Sequence, residues 1–341
     1  MENNHYELNH YGKKVFGRRA MALNSVDLLI RRYGHRHSEL KHKRVSDKTR
    51  HDRKKILNQI INDLYEKGFR VQSIGHLKNK HLKVIFEKWA EQNLSGSAWQ
   101  TRLSILRQME KWQNRQGFMQ KLEYYGIDPL VTKRVYVSEK DHSWSTKIDD
   151  RQKIEDIKAD DKIVGYQLEL IRAFGMRAQE SWMFRPHEDS DNYFIYITHG
   201  SKGGRPREVR IETEEQEEIL ETIKRVVKVK SFSLTPRDYT MKKWSSHFYY
   251  ICRKHGIKRS ENIVVHGLRH QRLIDIHEEV SGRKNDLRTL ASKEEIVSMT
   301  AEEKKKDHEA RLYVAEVAGH GRKKITNSYI GNVAKSTKSS C

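Results

Sequence analysis

Gly319-His320-Gly-Arg-Lys-Lys-Ile-Thr-Asn-Ser-Tyr329 sets a phenol nine residues after a Gly-His pair, near the end of a 341-residue chain. Further upstream lie His266-Gly-Leu-Arg269-His270, then Lys202 in Gly200-Ser-Lys202-Gly-Gly-Arg205, then Arg177 in Gly175-Met-Arg177-Ala-Gln-Glu180. In a chain with 67 Lys+Arg and 18 His, a lone His-x-x-Arg carries no weight, and a second copy, His308-Glu-Ala-Arg311, indeed occurs. The informative feature is the order Arg, Lys, His-x-x-Arg, His, Tyr, each in its own local setting. Arg177 follows the apolar run Ile171-Arg-Ala-Phe-Gly-Met176, which places it in a buried turn where an unpaired guanidinium would be costly.

This constellation resembles the active site of the tyrosine recombinase family, the phage-type integrases that cut and rejoin DNA through a phosphotyrosine. The resemblance implies Tyr329 as nucleophile, Arg177 and Arg269 as the phosphate clamp, His266 and His320 as hydrogen-bond donors, and Lys202 as the acid for the leaving 5′ oxygen. Glu180 would orient an arginine, and His270 would be a helper or packing histidine. The chemistry is coherent. Phosphoryl transfer is catalysed mostly by positioning and by stabilising charge on the non-bridging oxygens, and a forked guanidinium does this bidentately. A phenol, with a reference pKa of about 10, forms a covalent link that a DNA hydroxyl can later displace without ATP. The family implies no cofactor and no metal. Gly200, Gly203 and Gly204 read as a tight turn between strands 193–198 and 207–211, which puts Lys202 on a hairpin tip. A lysine in such a loop is by default solvated, so Arg205 and Arg207 remain alternatives. Tyr313 precedes the Gly-His pair and lies in the wrong place for a nucleophile.

Composition points to the same partner. The formal charge is +21, with basic residues spread along the whole chain, which fits double-stranded DNA and equally a ribosomal or RNA-binding protein. No paired aromatics form an RNA-stacking platform, and no Cys/His set has zinc-finger spacing. Cys252 and Cys341 are too few for a disulfide framework, so a reducing bacterial cytoplasm is the expected compartment. No signal peptide and no long apolar run argue for a membrane role.

The expected fold is mainly α with a small antiparallel sheet. Residues 1–45 read as a basic arm around one amphipathic stretch, Met21 to Ile30. Over 46–130 three stripes have helical period: Ile56, Ile60, Ile61 and Leu64; Leu82, Ile85, Phe86 and Trp89; Trp99, Leu103, Leu106 and Met109, the last opened by Ser97-Ala-Trp-Gln100. They resemble the helical, SAM-like core-binding domain of the same family. Residues 131–152 lose periodicity and read as a linker. A catalytic domain follows over 153–335, with a tail over 336–341. Arg269 and His320 lie 51 positions apart, more than the family requires, so 278–308 reads as a charged helical insertion on the surface. The implied activity is site-specific recombination for a mobile element, by a homotetramer on DNA with DNA-bending accessory proteins as possible partners. A type IB topoisomerase and a non-catalytic DNA-binding regulator are the alternatives.

Overall fold

Apolar stripes at helical spacing become helices, and the helices sort into two units, Met1–Val135 and Tyr136–Cys341. The structure is a computed structural model that describes residues 6–37, 43–134, 137–138, 140–201, 205–290, 298–320 and 326–331.

The first unit opens with a short antiparallel hairpin, β1 (Tyr6–Leu8) with β2 (Lys14–Phe16). Helices α1 (Arg18–Tyr33), α2 (Asp47–Glu66), α3 (Asn79–Glu91) and α4 (Gly96–Trp112) follow. Their apolar faces share one core, in which Trp89 and Trp99 meet edge to face with ring centres 5.4 Å apart. Two expectations need correction. Residues 18–33 are not part of a solvated arm: Met21, Ala22, Val26 and Ile30 are buried, and the buried Arg53 of α2 pins the end of α1 through Gly34 O at 2.7 Å. The basic side chains fill only the outer face of this helix. And α4 starts two residues earlier than its Ser97 signature suggests, because Ser95 is the cap, its hydroxyl accepting the Ala98 amide.

In the second unit the expected linker is partly core. Trp144 is fully buried, its indole N–H donating to Val264 O at 2.8 Å. Asp149 caps α5 (Asp150–Asp160), which packs on α6 (Lys162–Phe174). Then come α7 (Ala178–Met183), the antiparallel hairpin of β3 (Phe194–Ile197) and β4 (Arg207–Arg210), α8 (Glu214–Val226) and α9 (Met241–Lys254). The buried helix α10 (His266–Ser281) packs against α6, against α12 (Ala301–Val317) and against α13 (Asn327–Ile330), with the single-turn α11 (Asp286–Thr289) beside it. The segment 278–308 is therefore not a surface addition throughout. Asn285, Asp286 and Leu287 are buried in the unit.

Candidate active site

Glu180 organises the cationic side of the site. Gly175, with φ of +63°, ends α6, and two residues later Arg177 becomes the N-cap of α7. Three-residue spacing lets Glu180 reach back: its Oε2 accepts the Arg177 amide at 2.7 Å and its Oε1 accepts Arg177 Nη1 at 2.6 Å. From β4, Arg207 donates Nη1 to Oε1 at 2.8 Å and Nη2 to Oε2 at 2.6 Å, a bidentate pair. Burial alone would raise the carboxyl pKa of Glu180. The hydrogen bonds and charge of Arg207, then of Arg177, outweigh it and hold the value at about 2.

The C-terminus of α12 completes the arginine cluster. Its last carbonyls have no intrahelical partner and carry the negative end of the helix dipole. Val317 O accepts Arg207 Nε at 2.8 Å, and Ala318 O accepts both Arg177 Nη2 at 3.1 Å and Arg269 Nη2 at 2.7 Å. Arg269, from α10, is fully buried and also bonds Gly175 O, while its Nε has no protein partner. Burial lowers its pKa to about 10, which still leaves it cationic at neutral pH. Gly319 then turns the chain at φ of +64°, and a Cβ there would meet Arg207 Cδ at 2.8 Å.

This turn delivers His320 to the same place as Tyr329. The Tyr329 ring centre lies 5.5 Å from that of His266, 4.6 Å from His270 and 5.3 Å from His320. The Arg269 guanidinium sits 5.5 Å from the ring centre. All three imidazoles are held neutral at pH 7. Burial and then the Arg269 and Arg177 charges push His266 and His320 down to about 4; burial, then His266 and His142, push His270 to about 3. Neutral imidazoles accept as well as donate hydrogen bonds.

Arg177, Glu180, His266, Arg269, His270, His320 and Tyr329 thus converge. Lys202 lies outside the described residues. Just before it, Gly200 comes so close to α7 that an added Cβ would meet Gln179 O at 2.7 Å. Two participants were not singled out from the sequence. Arg207 appeared there only as an alternative to Lys202, and no local pattern announces its pairing with Glu180. His142, whose ring meets that of His270 at 5.4 Å, gave no signal at all. Tyr313 is engaged elsewhere, donating its hydroxyl to Glu212 at 2.7 Å. Among the described residues no group of three or more His, Cys, Asp or Glu side chains could hold a metal ion, and no helix is long and apolar enough to cross a membrane.

Two family descriptions match the sequence: "Phage integrase, N-terminal" over residues 39–118 and "Integrase" over residues 146–275. No curated protein sequence matches. Among solved structures, a lambda integrase dimer bound to a COC′ core site aligns with a TM-score of 0.58 at 11% identity, covering 91% of this chain and 78% of that one. XerH site-specific recombinase bound to its difH substrate in a pre-cleavage complex aligns with a TM-score of 0.54 at 14% identity over 92% of each chain. The Tn1549 transposon integrase in complex with a circular intermediate DNA gives 0.51 at 14% identity, covering 92% of this chain and 96% of that one. At these identities the likeness is one of fold.

Proposed function

The chain belongs to the phage integrase family of tyrosine recombinases, enzymes that break and rejoin DNA, and on that premise we propose that it integrates and excises a mobile element with Tyr329 as its nucleophile. One observation carries the reading: Tyr329, which follows the sequence matched to the family, packs among His266, His270 and His320 over the guanidinium of Arg269. The phenol oxygen attacks a DNA phosphorus, a 3′-phosphotyrosine forms, and the 5′ oxygen departs as a hydroxyl. Attack by a partner strand's 5′ hydroxyl then restores the phosphodiester and frees the tyrosine.

The roles follow from chemistry. Arg177 and Arg269 stabilise the non-bridging oxygens, with Glu180 fixing the first of them and the α12 carbonyls orienting both. The neutral imidazoles, whose rings surround that of Tyr329, would take up the phenol proton and hydrogen-bond the phosphate. Lys202, on the segment that follows the close approach of Gly200 to α7, donates the proton to the leaving oxygen. A tetramer on paired attachment-type sites, aided by DNA-bending proteins, would bring the partner strands together in the bacterial cytoplasm.

The test uses a nicked suicide duplex, whose cleaved 5′ fragment diffuses away and traps the adduct. The native chain is expected to form a covalent protein–DNA species resolved by denaturing gel, and Tyr329→Phe to bind the same duplex and form none. An adduct of undiminished yield from Tyr329→Phe would remove Tyr329 from this role. Relaxation of plasmids without any site requirement would favour topoisomerase activity over recombination.

A further inference from the structure

We propose that Asn285 and Arg311 are positioning residues for Tyr329, gripping the backbone that follows it so that the nucleophile is held beside the arginine cluster; the proposal rests on Tyr329 being that nucleophile. The observation is a pair of long-range bonds. Helix α13 has only four residues, far too few to stand alone in water, and its final carbonyls have no helical partner. Ile330 O accepts Asn285 Nδ2 at 3.2 Å, and Gly331 O accepts Arg311 Nη1 at 2.9 Å. Arg311 Nη1 also reaches Asn327 Oδ1 at 3.3 Å, one turn earlier. Leu287 closes the same side, since a Cβ on Gly331 would meet its Cδ2 at 2.8 Å.

Both grips are themselves held. Asn285 is fully buried, with its Oδ1 accepting the Leu287 amide at 3.0 Å, and this fixes which way the side-chain amide points. Its Nδ2 faces His277 Nδ1 at 3.1 Å, so that nitrogen is the acceptor and the proton sits on Nε2. His277 Nε2 then donates to Asp307 Oδ1 at 2.9 Å, and the other oxygen of Asp307 accepts Arg311 Nε at 2.6 Å. One half-buried carboxylate therefore links the asparagine grip to the arginine grip. Neither Asn285 nor Arg311 is among the residues drawn together around Tyr329's ring, so their effect on chemistry would pass through the backbone of 330–331. A catalytic group displaced by about 1 Å can cost on the order of 100-fold in rate.

The experiment compares the full-length native chain with Asn285→Ala and with Arg311→Lys, which keeps a cation near Asp307 but loses the fork. Duplex affinity is expected to be unchanged, while single-turnover adduct formation on the suicide duplex slows by about 10- to 100-fold. A second readout bypasses the tyrosine. In a Tyr329→Phe background, hydrogen peroxide is supplied as the nucleophile: hydroperoxide bonds to phosphorus, the bond to the 5′ oxygen breaks, and that oxygen leaves with a proton. Adding Asn285→Ala or Arg311→Lys is expected to leave peroxide cleavage at the Tyr329→Phe rate. Unslowed adduct formation in both variants would overturn the proposal. So would equal losses with tyrosine and with peroxide, because the residues would then support the phosphate site in general. If Asn285→Ala does not fold, Arg311→Lys decides by the same two readouts. Failure of the native chain to form any adduct through Tyr329 would instead sink the nucleophile assignment from which the proposal starts.

Discussion

Glu180 holds two arginines of the site at once. It is the buried acceptor for Arg177 and Arg207, so its role as an orienting carboxylate is visible in Gly-x-Arg-x-x-Glu, where three-residue spacing dictates the reach back to the helix start. Its second arginine is not visible there, because Arg207 arrives through hairpin pairing that local sequence does not encode. The protonation states of these groups make stability depend on pH in a definite direction. His266, His270 and His320 titrate lower in the fold than their ordinary value of about 6.5, so the unfolded chain takes up protons first as pH falls below that value. Their contribution is full above about 6.5 and is lost as pH falls through about 4 and then 3. Glu180, depressed to about 2, adds a further loss below about 4.5. Urea midpoints are therefore expected to fall between pH 6.5 and 4, with each histidine contributing at most about 1.4 kcal/mol per pH unit. His270→Gln should flatten that decline, and a decline of the same steepness in His270→Gln would contradict the assignment.

Elements were legible to the extent that one face of each is apolar. The stripes at Leu82 to Trp89 and Trp99 to Met109 are helices in the fold, since their period is set by burial against one another. Helix α1 was hidden by its charge. Arg18, Arg19, Arg31 and Arg32 made the first 45 residues read as an arm, while Met21, Ala22, Val26 and Ile30 were already spaced to bury one face. Ile30→Ala accordingly should cost the first unit about 2 to 5 kcal/mol, the usual range for emptying a buried aliphatic site. Denaturant unfolding of the full chain, followed by tryptophan fluorescence, would measure it; a change within about 0.5 kcal/mol, typical of exposed positions, would restore the arm. Charge has the same masking effect over the segment 278–308. Its charges suggest solvent, but Asn285 is buried with its side-chain amide bonded to Ile330 O, far away in sequence, which no local pattern reveals.

For the whole molecule, a net charge of +21 distributed over both units predicts binding governed by counterion release. If about six to ten phosphates are contacted, raising salt from roughly 50 to 200 mM should weaken duplex binding by about 10³- to 10⁵-fold. Filter binding or fluorescence anisotropy across that range would test it, and near-independence of salt would argue against a DNA partner held by its backbone. The seating of Tyr329 over Arg269 bears on what happens after that first electrostatic contact. With the phenol ring in place, the central guanidinium has no exposed surface, so it has already surrendered its hydration before any substrate arrives. On the proposed clamp role, an incoming phosphate would displace an aromatic ring and would not have to strip a water shell from the guanidinium. On the proposed roles, a phosphate carried by a duplex and held by contacts elsewhere on the protein would displace that ring more readily than a small free anion, so the seated tyrosine would favour DNA over cellular phosphate at Arg269.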